Sequence, residues 1–365
     1  MRSKSIIDLL HWILGMFFNF ALVAVVLVVL YLITIRGFEF GGQMANEWVA
    51  VGEDYEVEFV LDADTPASEV ARELEYLGII NNRLLFNIEL FLMGGIRTYE
   101  AGTYVLNHNM SYREIRQVFG RTGPRMADEE VITVLEGWTM YDMAEYFESR
   151  GFFPAEEFIH MATNGVGHFG FGFERNIPAN RPNGLEGYLF PDTYRIPVNP
   201  TPGDIIFRML RRFDEIFNVE MRDQAYEMGM TMDEVVIMAS IIEMESRLAH
   251  ERPKVSQVIH NRLAIDMYLQ MCSTVKYTME DPPIVLSTAQ TQVDTPFNTY
   301  TRPGLPIGPI TNPGAAALRA VVNPSGGNYL FFVLYNFETG EHFFSDNYAA
   351  HRAANDRAVA RQPRQ

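Results

Sequence analysis

One cysteine, Cys272, stands among 365 residues. A single thiol excludes an intrachain disulfide framework and a cysteine-based metal cluster. Basic residues are also scarce: 29 Lys and Arg face 46 Asp and Glu, a formal net charge of −17. Nothing in that balance would neutralise many phosphates, so a bulk nucleic-acid partner is excluded. The chain lacks HExxH, GxSxG and P-loop patterns, the local signatures of zinc peptidases, nucleophile-elbow hydrolases and nucleotide-binding folds. Its eight histidines are scattered, and no two stand four apart. No metal site and no cofactor are therefore expected. What is present is apolar material: 48% of residues are hydrophobic and 13% aromatic. That is enough for a sizeable core and excludes global disorder.

Long apolar runs are absent except for one. Trp12 to Ile35 holds 24 residues without a charge. At 1.5 Å per residue it reaches about 36 Å, enough for a hydrocarbon core of roughly 30 Å. A buried core helix and a cleaved signal peptide are the rival readings. The apolar run is too long for a signal peptide, and no small-x-small site follows closely. Arg2, Lys4 and the amino terminus precede the run and Arg36 follows it. The positive-inside rule then puts the N-terminus in the cytoplasm and residues from 37 onward outside it.

The remainder reads as α+β. Residues 36–53 form a juxtamembrane linker after the short N-terminus (1–11) and the span (12–35). Residues 54–125 form a small αβ region: a strand at 56–62, a helix capped by Thr65 with Pro66 in its first turn, a helix over 83–93, a strand at 103–106, and a helix capped by Ser111. A larger mixed α/β domain follows, residues 126–351, and a polar tail, 352–365, that should fray. In that domain VITVLEG (131–137) reads as strand and turn, and Thr139 opens a helix closed at Gly151. Val70-Ala71, Leu74 and Gly78 recur at the same offsets as Met143-Ala144, Phe147 and Gly151, a weak internal echo. Residues 154–199 read as irregular, 202–228, 232–248 and 252–265 as helical, and 281–315 as loop. The strand NYLFFVLY (328–335) should pair with HFFS (342–345).

One carboxylate is out of place. Glu243 lies in VVIMASIIEMESR, apolar over most of a helix's circumference, and shares a face with Val236, Ala239 and Ser240. Buried there, it must be paired or its pKa rises, and a raised pKa suits a general acid near neutral pH. A structural salt bridge to Arg247, Arg252 or Arg262 is the equal alternative. Glu245, about 200° around the helix, should be solvated. Near it in sequence lie neutral polar and aromatic groups: Asn261, Gln270, Thr274, Tyr277, Asn298, Thr299 and Tyr300, with Glu186, Tyr188, Asp192 and Tyr194 upstream. Aromatic rings beside polar groups suit sugars, and equally suit a loop that covers the core. Cys272 shows no sign of activation.

The stretches LEGYLFPDTY (185–194), MASIIEMES (238–246), VIHNRL (258–263), LQMCSTVKY (269–277), FNTYTRPGLPIGPITNPG (297–314), YLFFV (329–333) and FFSDNYAAH (343–351) closely resemble, in order and spacing, the endolytic murein transglycosylase family, the MltG or YceG-like proteins of bacteria. The resemblance covers nearly the whole chain after the span. It implies a single-pass protein of the bacterial cytoplasmic membrane whose 54–125 region is LysM-like and whose 126–351 domain is catalytic. It implies cleavage of the β-1,4 bond between N-acetylmuramic acid and N-acetylglucosamine inside peptidoglycan glycan strands, leaving 1,6-anhydro-muramyl ends. The family's catalytic glutamate falls on Glu243, as general acid and then base. Substrate-binding roles are expected for Glu186, Tyr188, Ser240, Asn261, Gln270, Thr274, Tyr277, Asn298 and Tyr300. Murein synthases and elongation or division machinery are the partners it implies. Where the family commonly has Asp-Pro, this chain has Cys272-Ser273, and an EKE-type pattern becomes Glu-Met-Glu at 243–245. Two rivals stand beside it: a muramidase using Asp192 or Glu186 to activate water, and a non-catalytic peptidoglycan-binding scaffold.

Overall fold

The computed structural model of the chain describes Val25 and residues 56–61, 65–92, 101–107, 110–119 and 129–361. Apart from Val25, the expected span at 12–35 lies outside the described residues, as do the linker at 36–53 and the glycine pair at 94–95. Among the described residues no helix is long and apolar enough to cross a membrane. The chain divides into two compact units between residues 127 and 128.

The first unit is a βααβα arrangement. Strand β1 (Glu56–Leu61) pairs antiparallel with β2 (Gly102–Asn107), and α1 (Ala67–Tyr76) and α2 (Arg83–Leu92) fill the crossover. Helix α3 (Tyr112–Gln117) closes it. Its start is a capping box: the Ser111 hydroxyl accepts from the Glu114 amide, and the Glu114 carboxylate accepts from Ser111 N–H at 2.7 Å. The start of α1 differs from expectation. Pro66, and not Thr65, occupies the cap position. Val70, Ala71 and Leu74 point into a core with Phe59, Phe86, Tyr104 and Phe119. The Phe119 ring meets Phe59 and Tyr104 edge-on at 5.8 and 4.8 Å.

The second unit opens with the same order of elements. Strand β3 (Glu129–Thr133) pairs antiparallel with β4 (Thr193–Pro197), and α4 (Met140–Ser149) and α5 (Ala155–Asn164) lie between them. The sequence echo therefore has a structural counterpart. Met143, Ala144 and Phe147 are fully buried, as are Val70, Ala71 and Leu74, and Gly78 and Gly151 both take positive φ after their helices, 67° and 78°. Residues 154–199 are not irregular throughout: they hold α5, a 3₁₀ turn at 172–176 and β4.

Among the described residues, six α-helices follow β4 before the last two strands. They are α6 (Pro202–Ile216), α7 (Val219–Glu227), α8 (Met232–Glu245), α9 (Arg252–Ala264), the short α10 (Cys272–Lys276) and α11 (Ala315–Val322). The predicted helix over 202–228 is two helices, because Asn218 caps a new start by accepting from Met221 N–H at 3.0 Å. Helix α8 is central. Nearly every residue from Asp233 to Ile242 is buried, whichever way it faces, as in a helix packed on all sides. It packs against α9 and α11. The predicted hairpin is present as β5 (Phe331–Asn336) and β6 (Glu341–Ser345), with Phe332 opposite Phe344. The chain then runs into α12 (Tyr348–Arg361), so residues 352–361 of the expected tail are helical. Ala354 and Ala358, one turn apart, are the buried edge of this otherwise polar helix.

Candidate functional site

Glu243 closes the C-terminal turn of α8, and its side chain is only 6% exposed. One carboxylate oxygen is ion-paired with Arg252 at the start of α9. The other accepts from the Gly314 amide, the cap of α11, at 3.1 Å. Of the three arginines considered as partners, Arg252 is the one that engages. Arg262 donates instead to the Leu330 and Leu269 carbonyls. Burial pushes the Glu243 carboxyl above the ordinary carboxylate range, against the Arg252 charge and the Gly314 amide, and the nearby Glu136 charge adds to the rise. Salt bridge and raised proton affinity coexist at one group.

Glu136 was not singled out by the sequence. It sits on the turn between β3 and α4, with its side chain 49% exposed, and it reaches Arg252 Nη1 at 3.8 Å. Its turn is tied down by paired backbone bonds. Gly137 N–H donates to the Asn312 carbonyl, and Asn312 N–H donates to the Trp138 carbonyl, both at 3.0 Å. A Cβ at Gly314 would overlap the Glu136 carboxyl, so the side chain lies over that glycine. Gly137 has φ +85°, and a Cβ there would stand 3.9 Å from Glu243 Cγ. The LEGWT turn thus runs beside the stem of Glu243, with space at Gly137 for one further carbon. The signal that marked it was the turn before the Thr139 cap, which also forms a capping box with Asp142.

The expected sugar-binding residues divide into two sets. Glu186, Tyr188, Ser240, Thr274 and Asn298 are fully buried and brace loops, and none of them reaches the surface. Both Glu186 oxygens accept from Met140 N–H at 3.1 Å, and the Asn312 amide and Tyr277 hydroxyl also donate to the carboxylate. Burial lifts its pKa to about 8, since these donors are neutral and no cation among the described residues answers the charge. Tyr188 donates to Asp233 at 2.7 Å and stacks on Phe173. Ser240 accepts from Ile310 N–H at 3.0 Å, and Thr274 shares a hydroxyl bond with Thr299 at 2.9 Å. Asn298 donates to the Thr291 and Val293 carbonyls. These polar groups are buried because each is satisfied.

The second set is partly or wholly open. Asn261 is half-buried and holds the approach to β5 through the Gly327 and Tyr329 carbonyls. Gln270 is exposed and takes φ +49°, an uncommon conformation for glutamine. Tyr277 and Tyr300 are half-buried. Tyr277 is held between Asn183 and Glu186, and Tyr300 lies 3.0 Å from Cys272 Sγ. Burial raises the pKa of both phenols. Glu245 is not simply solvated: it accepts from the Ser273 hydroxyl at 2.6 Å and from the Ser273 amide, in the first turn of α10, at 3.3 Å. Asp192 is paired with Arg212, its Oδ2 2.7 Å from Arg212 Nε.

Asn312 joins these groups. Its carbonyl oxygen accepts from Gly187 and Leu189, and its amide donates to Trp138 and Glu186. One side chain thereby connects the 185–190 loop, the start of α4 and the strand of loop that carries Gly314 to Glu243.

An α+β enzyme-like unit with a buried, ion-paired carboxyl at a helix end is what the structure defines. The chain belongs to the YceG-like family, whose sequence profile matches residues 59–357. It is 29% identical over 291 residues to the endolytic murein transglycosylase of Bacillus subtilis (strain 168), covering 73% of this chain and 75% of that protein. It is 26% identical over 317 residues to the protein of the same name from Streptococcus pneumoniae (strain ATCC BAA-255 / R6), covering 80% of this chain but 56% of that longer one. A solved yceG-like protein from Listeria monocytogenes shares the fold with a TM-score of 0.56 and 25% identity, over 82% of this chain and 99% of that one.

Proposed function

We propose that this protein is an endolytic peptidoglycan lytic transglycosylase with Glu243 as its acid and base. The observation that carries the proposal is the environment of Glu243: a carboxyl buried on an apolar helix, with raised proton affinity, an arginine and one backbone amide. A carboxyl whose proton affinity is raised by burial is suited to giving a proton to a developing alkoxide. Glu243 protonates the glycosidic oxygen as the C1–O bond breaks. The muramyl C6 hydroxyl attacks C1, and its proton passes to the Glu243 carboxylate. The proton is returned, no water is consumed, and one carboxylate serves both steps. Arg252 and the Gly314 amide stabilise the carboxylate formed between the steps. Gln270, Tyr300 and Tyr277 are the groups open enough to meet the sugar. The names of the curated relatives support the substrate class.

In this proposal residues 12–35 anchor the chain once in the bacterial cytoplasmic membrane, with the N-terminus inside and both units outside. Residues 54–125 form a LysM-like unit that binds glycan, a role compatible with the βααβ order of its elements. Strands newly made by murein synthases of the elongation or division machinery are then the first it meets. Glu136 favours one second reading, a muramidase, because it provides a second carboxylate. The test is digestion of uncrosslinked glycan strands by the protein and by Glu243→Gln. Mass spectrometry should find internal cuts with anhydro-muramyl ends in the first and at least a 100-fold lower rate in the second. Reducing muramyl ends would establish hydrolysis, and equal rates would remove Glu243 from the chemistry.

A further inference from the structure

A general acid must keep its proton, yet Glu243 is ion-paired with a guanidinium, and a fixed cation at that position favours the ionised form. The site has a further charge that answers this. Arg252 directs Nη2 to Glu243 and Nη1 toward Glu136, so one guanidinium stands between two carboxylates. We propose that Glu136 is a positioning residue of the transglycosylase site: it takes up the charge of Arg252 while Glu243 holds the proton, and yields it when Glu243 is ionised. The inference rests on the proposed role of Glu243 and adds a residue to it.

The geometry favours this over a mere surface charge. The Glu136 turn is held by the Gly137–Asn312 and Asn312–Trp138 backbone bonds and by the Thr311 hydroxyl on the Gly137 carbonyl. Its carboxyl lies over Gly314, the residue whose amide serves Glu243. Among the described residues, the charged groups facing Glu243 are Arg252 from α9 and Glu136 from the β3–α4 turn. From α11 it meets the Gly314 amide; Lys276 of α10 reaches the Ile284 carbonyl, and Glu245 of α8 is turned to Ser273. Glu136 and Arg252 therefore form the charge balance at this carboxyl. Because Glu136 is half-exposed, its influence is moderate and screened by salt.

The test uses the full chain in detergent, as wild type, Glu136→Gln and Glu243→Gln. Glycan-strand cleavage is followed across pH, and the Glu243 carboxyl is titrated directly by infrared difference spectroscopy, the band missing in Glu243→Gln identifying it. With Glu136 neutral, Arg252 holds the Glu243 carboxylate alone. The alkaline limb of kcat/KM should move to lower pH by about half a unit or more, with the infrared titration moving alike. Activity at pH 8 should drop several-fold and largely recover on acidification. A uniform loss at all pH values, with the Glu243 titration unmoved, would overturn the proposal. So would a change confined to KM, or reducing ends that vanish in Glu136→Gln, which would make Glu136 the base for water. If the wild type cleaves nothing, the proposed function fails, and the infrared titration still decides whether Glu136 governs Glu243.

Discussion

Glu186 and Glu243 are both buried carboxyls, and their surroundings differ in kind. Glu243 has a cation and a second carboxylate within reach. Glu186 has only neutral donors and is fully buried, which raises its pKa to about 8. That difference makes the first suited to proton transfer and the second to holding loops. It also has a sign in stability. A carboxyl whose pKa is 4.5 when unfolded and about 8 when folded binds its proton more tightly in the native state. Its contribution is fully present below pH 4.5 and is lost as pH rises through 8. Glu186→Gln should therefore flatten the decline of stability between those limits, measured by denaturant unfolding at pH 5 and pH 8. At this scale Glu243 was legible because a charge on an apolar face is a local anomaly. Glu186 was legible only as a candidate. Its role depends on Met140, Tyr277 and Asn312, up to 126 residues away, and no local pattern reports such distances.

Sequence and structure agree at two helix starts and differ at two others, α1 and α7. Ser111 and Thr139 each head a capping box, because the bond from the amide three residues on to the hydroxyl is local, and the structure adds a third at Thr231. Thr231→Ala should lower stability by about 1 kcal/mol, leaving the pH profile of cleavage unchanged. This pair of measurements separates helix support from site chemistry. The loop at 309–314 behaves otherwise. Asn312→Ala removes four hydrogen bonds in a buried setting and should cost about 3 kcal/mol. It should also reduce kcat at least tenfold, since the Gly314 amide loses its fixed approach to Glu243. Helices α5 and α12 were not legible. Among the residues of α5 only Phe158 and Ala162 are buried, and α12 buries little besides two alanines. Both are helices stabilised by what they pack against, with too narrow an apolar stripe to declare a period.

For the whole molecule, the division between residues 127 and 128 separates two units with their own cores. Each begins with a two-stranded antiparallel sheet enclosing two helices. Residues 128–365 expressed alone should unfold in one cooperative transition and keep Glu243-dependent cleavage. Aggregation or loss of the transition would show that the second unit needs the first. The net charge of −17 belongs to the whole chain; at the site, burial, one arginine and the second glutamate act on Glu243.

What the amino-acid order determined by itself is what short-range rules govern: the 24-residue apolar run, the caps at Ser111 and Thr139, the β5–β6 pairing, and the isolated carboxyl of α8. What only the tertiary structure decided is the state of that carboxyl. Its partners come from the turn at 136, the start of α9 at 252 and the cap at 314. Proton affinity is set by charge and burial acting through space, and neither quantity follows the order of the chain.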